Sequence, residues 1–480
     1  MTASNAPARA GSSPSGTVRR AAPSGQVDPR SAALHLANRL GFGPTPGDPE
    51  RILAEGLEAF IARQIAGNAA DGNVEARVGS LPGVFQTTTE IVRLHQGSNF
   101  SRVPIEKALE DLRCAKLIRA VHSENQLREV MVDFWYNHFN VYAYAWEPST
   151  PAYEREAIRP HALGNFRALL GATAFHPAML FYLDSYLSTA PRVINGREIP
   201  GLNENYGREL LELHTVGVGT GYTQNDVVDA ARAFTGCGIE GLVSGEPDTF
   251  AFRFQLECHD RGEKEVFGCR LAPGGGLDDA QTLLDYLASH PFTARFVSHR
   301  LAERFVADDP PDALVQRCAH VFLSTGGDIR SVLETIFCSP EFWAPEVIRG
   351  KVKTPFEFAA SCVRALGLEL SDARPLAVAL EKMGMPLYGC RPPTGYSNRG
   401  SDWLNGASQM ARFDLAFRLG AGIFPGVAQD GITEDRSRPL RATLSSRTRR
   451  ALSSAGGQTA RERDQRIAGL ALASPEFQMR

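Results

Sequence analysis

Apolar residues recur at three- and four-residue spacing through most of the chain, a period that predicts helices rather than strands. Leu34, Leu36 and Leu40 precede a Gly41-Phe42-Gly43-Pro44 turn, and Ile52, Leu53, Leu57, Phe60 and Ile61 resume the period, so a helical hairpin is expected from Ser31 onward. A helix is expected over about 104–121. Ser123 and Gln126, spaced as a capping box, are expected to open the next, which carries Leu127, Val130, Met131, Phe134 and Trp135. Further starts are marked by His176-Pro177, by Thr223 with Asp226, and by Thr354-Pro355-Phe356-Glu357. The helical period returns over 294–306 and 314–322. Two later apolar runs, 333–343 and 467–477, both close on Ser-Pro-Glu-Phe, an echo too short to define a repeat.

One passage breaks this rhythm. Residues 250–257 alternate strictly between apolar and polar, and Val266-Phe267 follows after His259-Asp260-Arg261-Gly262. This predicts a β-hairpin at about 248–268, lying against helices because a lone hairpin is marginal in water. The expected fold class is mainly α: a large irregular helical domain over 31–430 with one inserted β-hairpin. Residues 1–30, rich in Ala, Ser, Gly and Pro, are expected to form a disordered tail. Residues 431–480 are expected to form an Arg-rich mobile segment and a terminal helix of the same domain.

Composition narrows the classes. With 480 residues and 43% hydrophobic side chains a large core is available. Fifty-one Lys and Arg against 54 Asp and Glu give a net charge of −3, so no global basic field draws the chain to phosphate backbones, and nucleic acid is an unfavoured partner. No window approaches the roughly 18–20 apolar residues of a bilayer span. Eight cysteines without a C-x-x-C pair read as small buried hydrophobes in a reducing compartment. No apolar stretch follows Arg19-Arg20 as an export signal requires, so a cytoplasmic location is expected.

Three polar runs could carry chemistry. In 203–214, Glu204, Arg208, Glu212, Asn205 and Glu209 share one helix face. Either the face is solvated and laced by i,i+4 pairs with Asn203 as N-cap, or it is buried, with Glu209 and Glu212 in acid/base or metal-ligand roles and Arg208 holding an anion. In 133–140, Asp133, Asn137 and Asn140 project together, whereas His138 projects with Phe134 and Trp135 and is expected to be buried, as a core histidine or a ligand. At the hairpin tip, turn chemistry accounts for Asp260 and Gly262. It does not account for His259 or Lys264, and a loop exposing His259, Asp260 and Lys264 beside one another could supply a general base and an anion contact, with His259 and Asp260 as catalytic candidates. Lys351 and Lys353 precede the capped helix at Thr354 and are candidates for anion binding. The Gly217-x-Gly219-x-Gly221 string follows a helix and reads as a helix stop, so no nucleotide cofactor is expected, and no H-E-x-x-H, G-x-S-x-G or Walker A sequence is present.

Taken together, 38–43, 134–139, the block from Asn203 through Gly236, His259-Asp260 with Gly262 and Lys264, and the closing 474–478 resemble the bacterial family catalogued as domain of unknown function 1800. The resemblance spans nearly everything after the tail. It implies a largely helical bacterial protein and, from gene neighbourhood, a partner of the sulfatase-like domain of unknown function 1501 family; it brings no activity with it. Many relatives are exported, against the cytoplasmic expectation. The reading taken forward is a metal-assisted hydrolase with its site between the Asp133 helix and the Glu204–His214 helix, under the His259 hairpin. A divalent metal on Glu209, Glu212 or His138 would activate water, Asp133 would orient, and Arg208 and Lys264 would stabilise negative charge. The alternative is a non-catalytic helical binding or assembly protein acting with a partner.

Overall fold

The longest helix, Val103–His122, is buried along most of its length, charged side chains included: Asp111, Lys116 and Arg119 are all buried. It is the hub of the molecule. Gly72–Val78, Thr88–Gly97, Pro355–Ala365 and Arg374–Lys382 pack around it, and Gln126–His138 folds back along it. A second group comprises Leu277–Ala288, Pro291–Phe305, Asp312–Ser324 and Ile329–Phe337, and a third pairs Gly406–Gly420 with Ala460–Leu472. The structure is a computed structural model that describes residues 27–97, 101–143, 148–194, 197–199, 201–240, 250–428, 444–454 and 456–480. Residues 1–26 of the expected tail, 248–249 of the expected hairpin and 431–443 of the Arg-rich segment lie outside these. Helix takes 59% and strand 5%, the mainly α class that the hydrophobic period predicts. No helix among the described residues is long and apolar enough to cross a membrane.

Most helix starts follow their caps. Thr223 with Asp226 and Thr354 with Glu357 both form reciprocal capping boxes. His176 accepts from the Ala178 amide at the start of Pro177–Tyr182. Ser123 and Gln126 do not form the expected box. The Ser123 hydroxyl donates to Asp71 at 2.6 Å, and the Gln126 amide turns back to the carbonyls of Ala120 and Ser123. The two Ser-Pro-Glu-Phe echoes close their helices alike, with Ser339 accepting from the Phe342 amide and Ser474 from the Phe477 amide.

Among the described residues the strands form four separate antiparallel pairs. The expected pairing of the 250–257 run with Val266-Phe267 is not made. Phe252–Phe254 pairs instead with Cys237–Ile239, and Lys264–Val266 pairs with Cys269–Leu271. Phe267 and Gly268 both take positive φ and form the tight turn of the second hairpin, so the apolar run that reads as a strand is half turn. The described cysteines are free thiols, buried except for the half-buried Cys338.

Candidate functional site

The helix Gln126–His138 ends where the Phe139 amide bonds the Trp135 carbonyl, which leaves His138 on the last turn, pressed among rings. Trp135, Phe139 and Phe296 stand 5.4, 4.6 and 6.0 Å from it, centroid to centroid. Its Nε2 lies 3.2 Å from the main-chain oxygen of His214. A carbonyl only accepts, so Nε2 carries the proton and Nδ1 is left as a bare acceptor. Burial, with the positive charge of Arg300 and the His214 ring nearby, holds the imidazole well below its usual pKa, and the ring is neutral.

The carbonyl that fixes this tautomer comes from an unusual turn. The helix begun at Asn205–Glu209 widens to i→i+5 bonding over Leu210–His214 and stops at Thr215, whose hydroxyl bonds the Leu210 carbonyl. Such π turns are rare and concentrate at functional sites. Gly207 makes the placement possible, because a Cβ there would lie 2.7 Å from the Ala231 amide nitrogen in the helix Gln224–Ala233. Along the outer face Arg208 sits between Glu204 at 3.2 Å and Glu212 at 3.5 Å, the expected i,i+4 lacing. Glu209 is half-buried, and burial, reinforced by the Glu212 charge and opposed by Arg208, raises its pKa.

Beyond His138 and Glu212 lies a half-open cavity of about 650 Å³, within the usual size range of small-molecule sites. Its far wall is the helix Pro291–Phe305, which contributes Phe296, Arg295, His299 and Arg300. Arg300 also pairs with Glu303 at 3.0 Å and Arg295 with Asp312 at 2.7 Å. The 217–220 loop forms the floor. Gly217 is required there, because its φ is +89° and a Cβ would meet the Phe296 ring at 2.8 Å. Thr394 closes one side from the loop 386–396. Asn137 bonds that loop through the Tyr396 amide and carbonyl, Asn140 through the carbonyls of Cys390 and Pro392, and the Tyr182 hydroxyl through that of Arg391. Asn137 and Asn140 therefore position a wall of the cavity rather than line it.

The remaining expected residues go elsewhere: His138 and Glu212 bring two of the polar runs to one cavity, and the hairpin run does not join them. Asp133 pairs with Lys116 at 3.0 Å beside a separate cavity of about 40 Å³. His259 and Lys264, expected to be presented at a loop tip, are buried. Both bond one oxygen of Asp279, at 3.2 and 2.7 Å, and Lys264 also caps the carbonyls of Asp260 and Gly262. Asp260 takes both bonds of a fork from Arg232 and accepts the Gly262 amide; the Arg232 fork, opposed by burial, holds its pKa low. Lys351 pairs with Asp308. Lys353 lies 4.0 Å from the Phe477 ring centroid, in a different pocket. Glu209, Glu212 and His138 are not assembled as a ligand set: among the described residues no three His, Cys, Asp or Glu side chains are grouped to hold a metal ion.

Two networks escaped the sequence reading. Arg295, His299 and Arg300 sit in an ordinary-looking amphipathic helix with no motif to mark them. Glu154 accepts from Lys116 at 3.2 Å, Arg159 at 2.9 Å and Tyr388 at 2.7 Å, and it opens a second π turn, Glu154–Ile158. Burial alone would raise its pKa, but the two cations and the Tyr388 bond outweigh it and hold the carboxylate at about 2.

The architecture is thus that of a helical protein with a ligand-sized cavity at the junction of a buried histidine and a π turn. The family described as "Protein of unknown function (DUF1800)" matches residues 35–479, and the chain belongs to it. No curated protein and no solved structure matches the chain.

Proposed function

We propose that the protein binds a small organic anion in the cavity between His138 and Arg300 and hydrolyses it. The observation that carries this reading is the composition of that wall: a neutral imidazole with a bare Nδ1 and a carboxylate on one side, two arginines on the other, around apolar rings. Arg295 and Arg300 supply the charge that a carboxylate or phosphate requires in a partly dry site, and Phe292 and Phe296 cover its apolar part. The π turn places Glu212 on the wall, with Glu209 one turn before it and outside the lining residues. Environments that differ between neighbouring carboxyls separate acid from base. Glu209, its pKa raised by burial and by Glu212, donates a proton to the leaving group. Glu212, held by Arg208 and the Tyr222 hydroxyl, takes one from water, with His138 Nδ1 orienting that water.

The test is a hydrolysis screen of small carboxylate- and phosphate-bearing esters on the wild type, Glu209→Gln and Glu212→Gln. The expected result is turnover of a subset of the anionic esters that falls about 10²-fold or more in either variant, the usual size of a general acid/base contribution. Turnover unchanged in both variants, or no turnover of any ester by the wild type, rejects the proposal.

A further inference from the structure

Another pocket lies against the N-terminal helix Pro29–Arg39 and the end of the helix Pro355–Ala365. It encloses about 50 Å³ and is walled by Pro44, Pro46 and Phe477, with Lys353, Arg349 and Arg30 as its cations. A water needs roughly 10–15 Å³, so the space suits a compound of about three to five non-hydrogen atoms.

Lys353 is buried, and its ammonium makes no hydrogen bond or ion pair among the described residues; the Phe477 ring lies against it, at 4.0 Å. Its backbone is fixed, the amide donating to the Gln478 carbonyl at 2.8 Å and the carbonyl accepting from Arg412 at 2.8 Å. Lys351, two residues earlier, differs in being matched to Asp308. Arg349 is also without a hydrogen bond or ion pair among the described residues, and it adopts a φ of +58°, costly for a residue with a Cβ. Its electrostatic neighbours are Glu476 and Asp28, and Glu476 is already bonded by Thr448.

We propose that Lys353 is a reactive amine that forms a Schiff base with a small 2-oxo acid, whose carboxylate is held by Arg349. The neutral amine attacks the carbonyl carbon, a C–N bond replaces one C–O bond, and the carbinolamine expels water to leave the imine; the proton of the starting ammonium goes to solvent. Burial lowers the amine to about 7. Cys362 and Glu357 oppose that shift, and Arg412 and Arg480 add to it, so a far larger share of the amine is free at neutral pH than in an ordinary lysine, which is almost wholly protonated. This site is separate from the His138 cavity and stands or falls without it.

The experiment treats the full chain with glyoxylate and sodium cyanoborohydride at pH 7 and locates the reduced adduct by peptide mapping. Exposed Lys107 and Lys382 serve as internal references. Lys353 is expected to label at least tenfold faster than either, and the adduct is expected to vanish in Lys353→Arg. Equal labelling of the three lysines in the wild type overturns the proposal, whatever the variant does. Arg349→Gln is expected to slow glyoxylate labelling at Lys353 several-fold but not that by acetaldehyde, which has no carboxylate. An equal effect on both reagents overturns the oxo-acid assignment.

Discussion

The ring proton of His138 is held by the main-chain carbonyl of His214, 3.2 Å away, so two segments 76 residues apart fix one tautomer. That bond exists because the π turn at Leu210–His214 aims the carbonyl inward. It leaves a neutral acceptor nitrogen in a ring that lines the largest cavity described here.

Burial depresses the pKa of His138, of His35 and of His214, the last to about 3. In the unfolded chain all three titrate near 6.5. Below that pH the unfolded state binds protons that the folded state refuses, so stability is full above about 6.5 and falls as pH drops. Each histidine is expected to remove about 1.4 kcal/mol per pH unit. Glu154 and Glu357, held low by their cations, add their own loss only once the pH falls below the ordinary carboxylate range. Denaturant midpoints from pH 7.5 to 5 are expected to decline, and less steeply in His214→Gln. A flat profile contradicts the buried neutral histidines.

Glu154 is shared by Lys116, Arg159 and Tyr388 in a dry interior. Glu154→Gln leaves two cations without their common partner and is expected to cost about 3–5 kcal/mol in urea denaturation. Lys116→Met in the same chain is expected to cost less than the sum of the single changes. Strict additivity would mean that the charges do not interact.

His259 and Lys264 are both tied to Asp279, the pattern expected of a buried structural knot. Asp279→Asn is expected to lower stability by about 3–5 kcal/mol by stranding the buried Lys264. Ligand binding per folded molecule is expected to stay at the wild-type level. Binding abolished at unchanged melting temperature would place the hairpin in the site.

How far the sequence discloses this depends on the kind of signal. Helix starts at Thr223 and Thr354 are legible because their boxes are made by near neighbours, whereas Ser123 turns to Asp71, a partner no local pattern announces. The burial of His138 follows from its projection with Phe134 and Trp135. The lacing of Arg208 between Glu204 and Glu212 follows from i,i+4 spacing. The π turn leaves no compositional mark, and without it a regular helical wheel gives no reason for the His214 carbonyl to face His138. The hairpin pairing failed because Cys237–Ile239 is too short to show a period. Asp279, which converts an apparently exposed His259 and Lys264 into a buried knot, lies on a separate helix.

The central claim is that the His138–Arg300 cavity receives an organic anion. Thermal unfolding of the wild type, His138→Gln and Arg300→Gln against a panel of small carboxylates and phosphate monoesters tests it most directly. A ligand at about 100 times its Kd adds about 2.7 kcal/mol to the native state. At least one anion is expected to raise the wild-type melting temperature and to lose most of that effect in both variants. Stabilisation that is equal in all three proteins, or absent for every anion, contradicts the account.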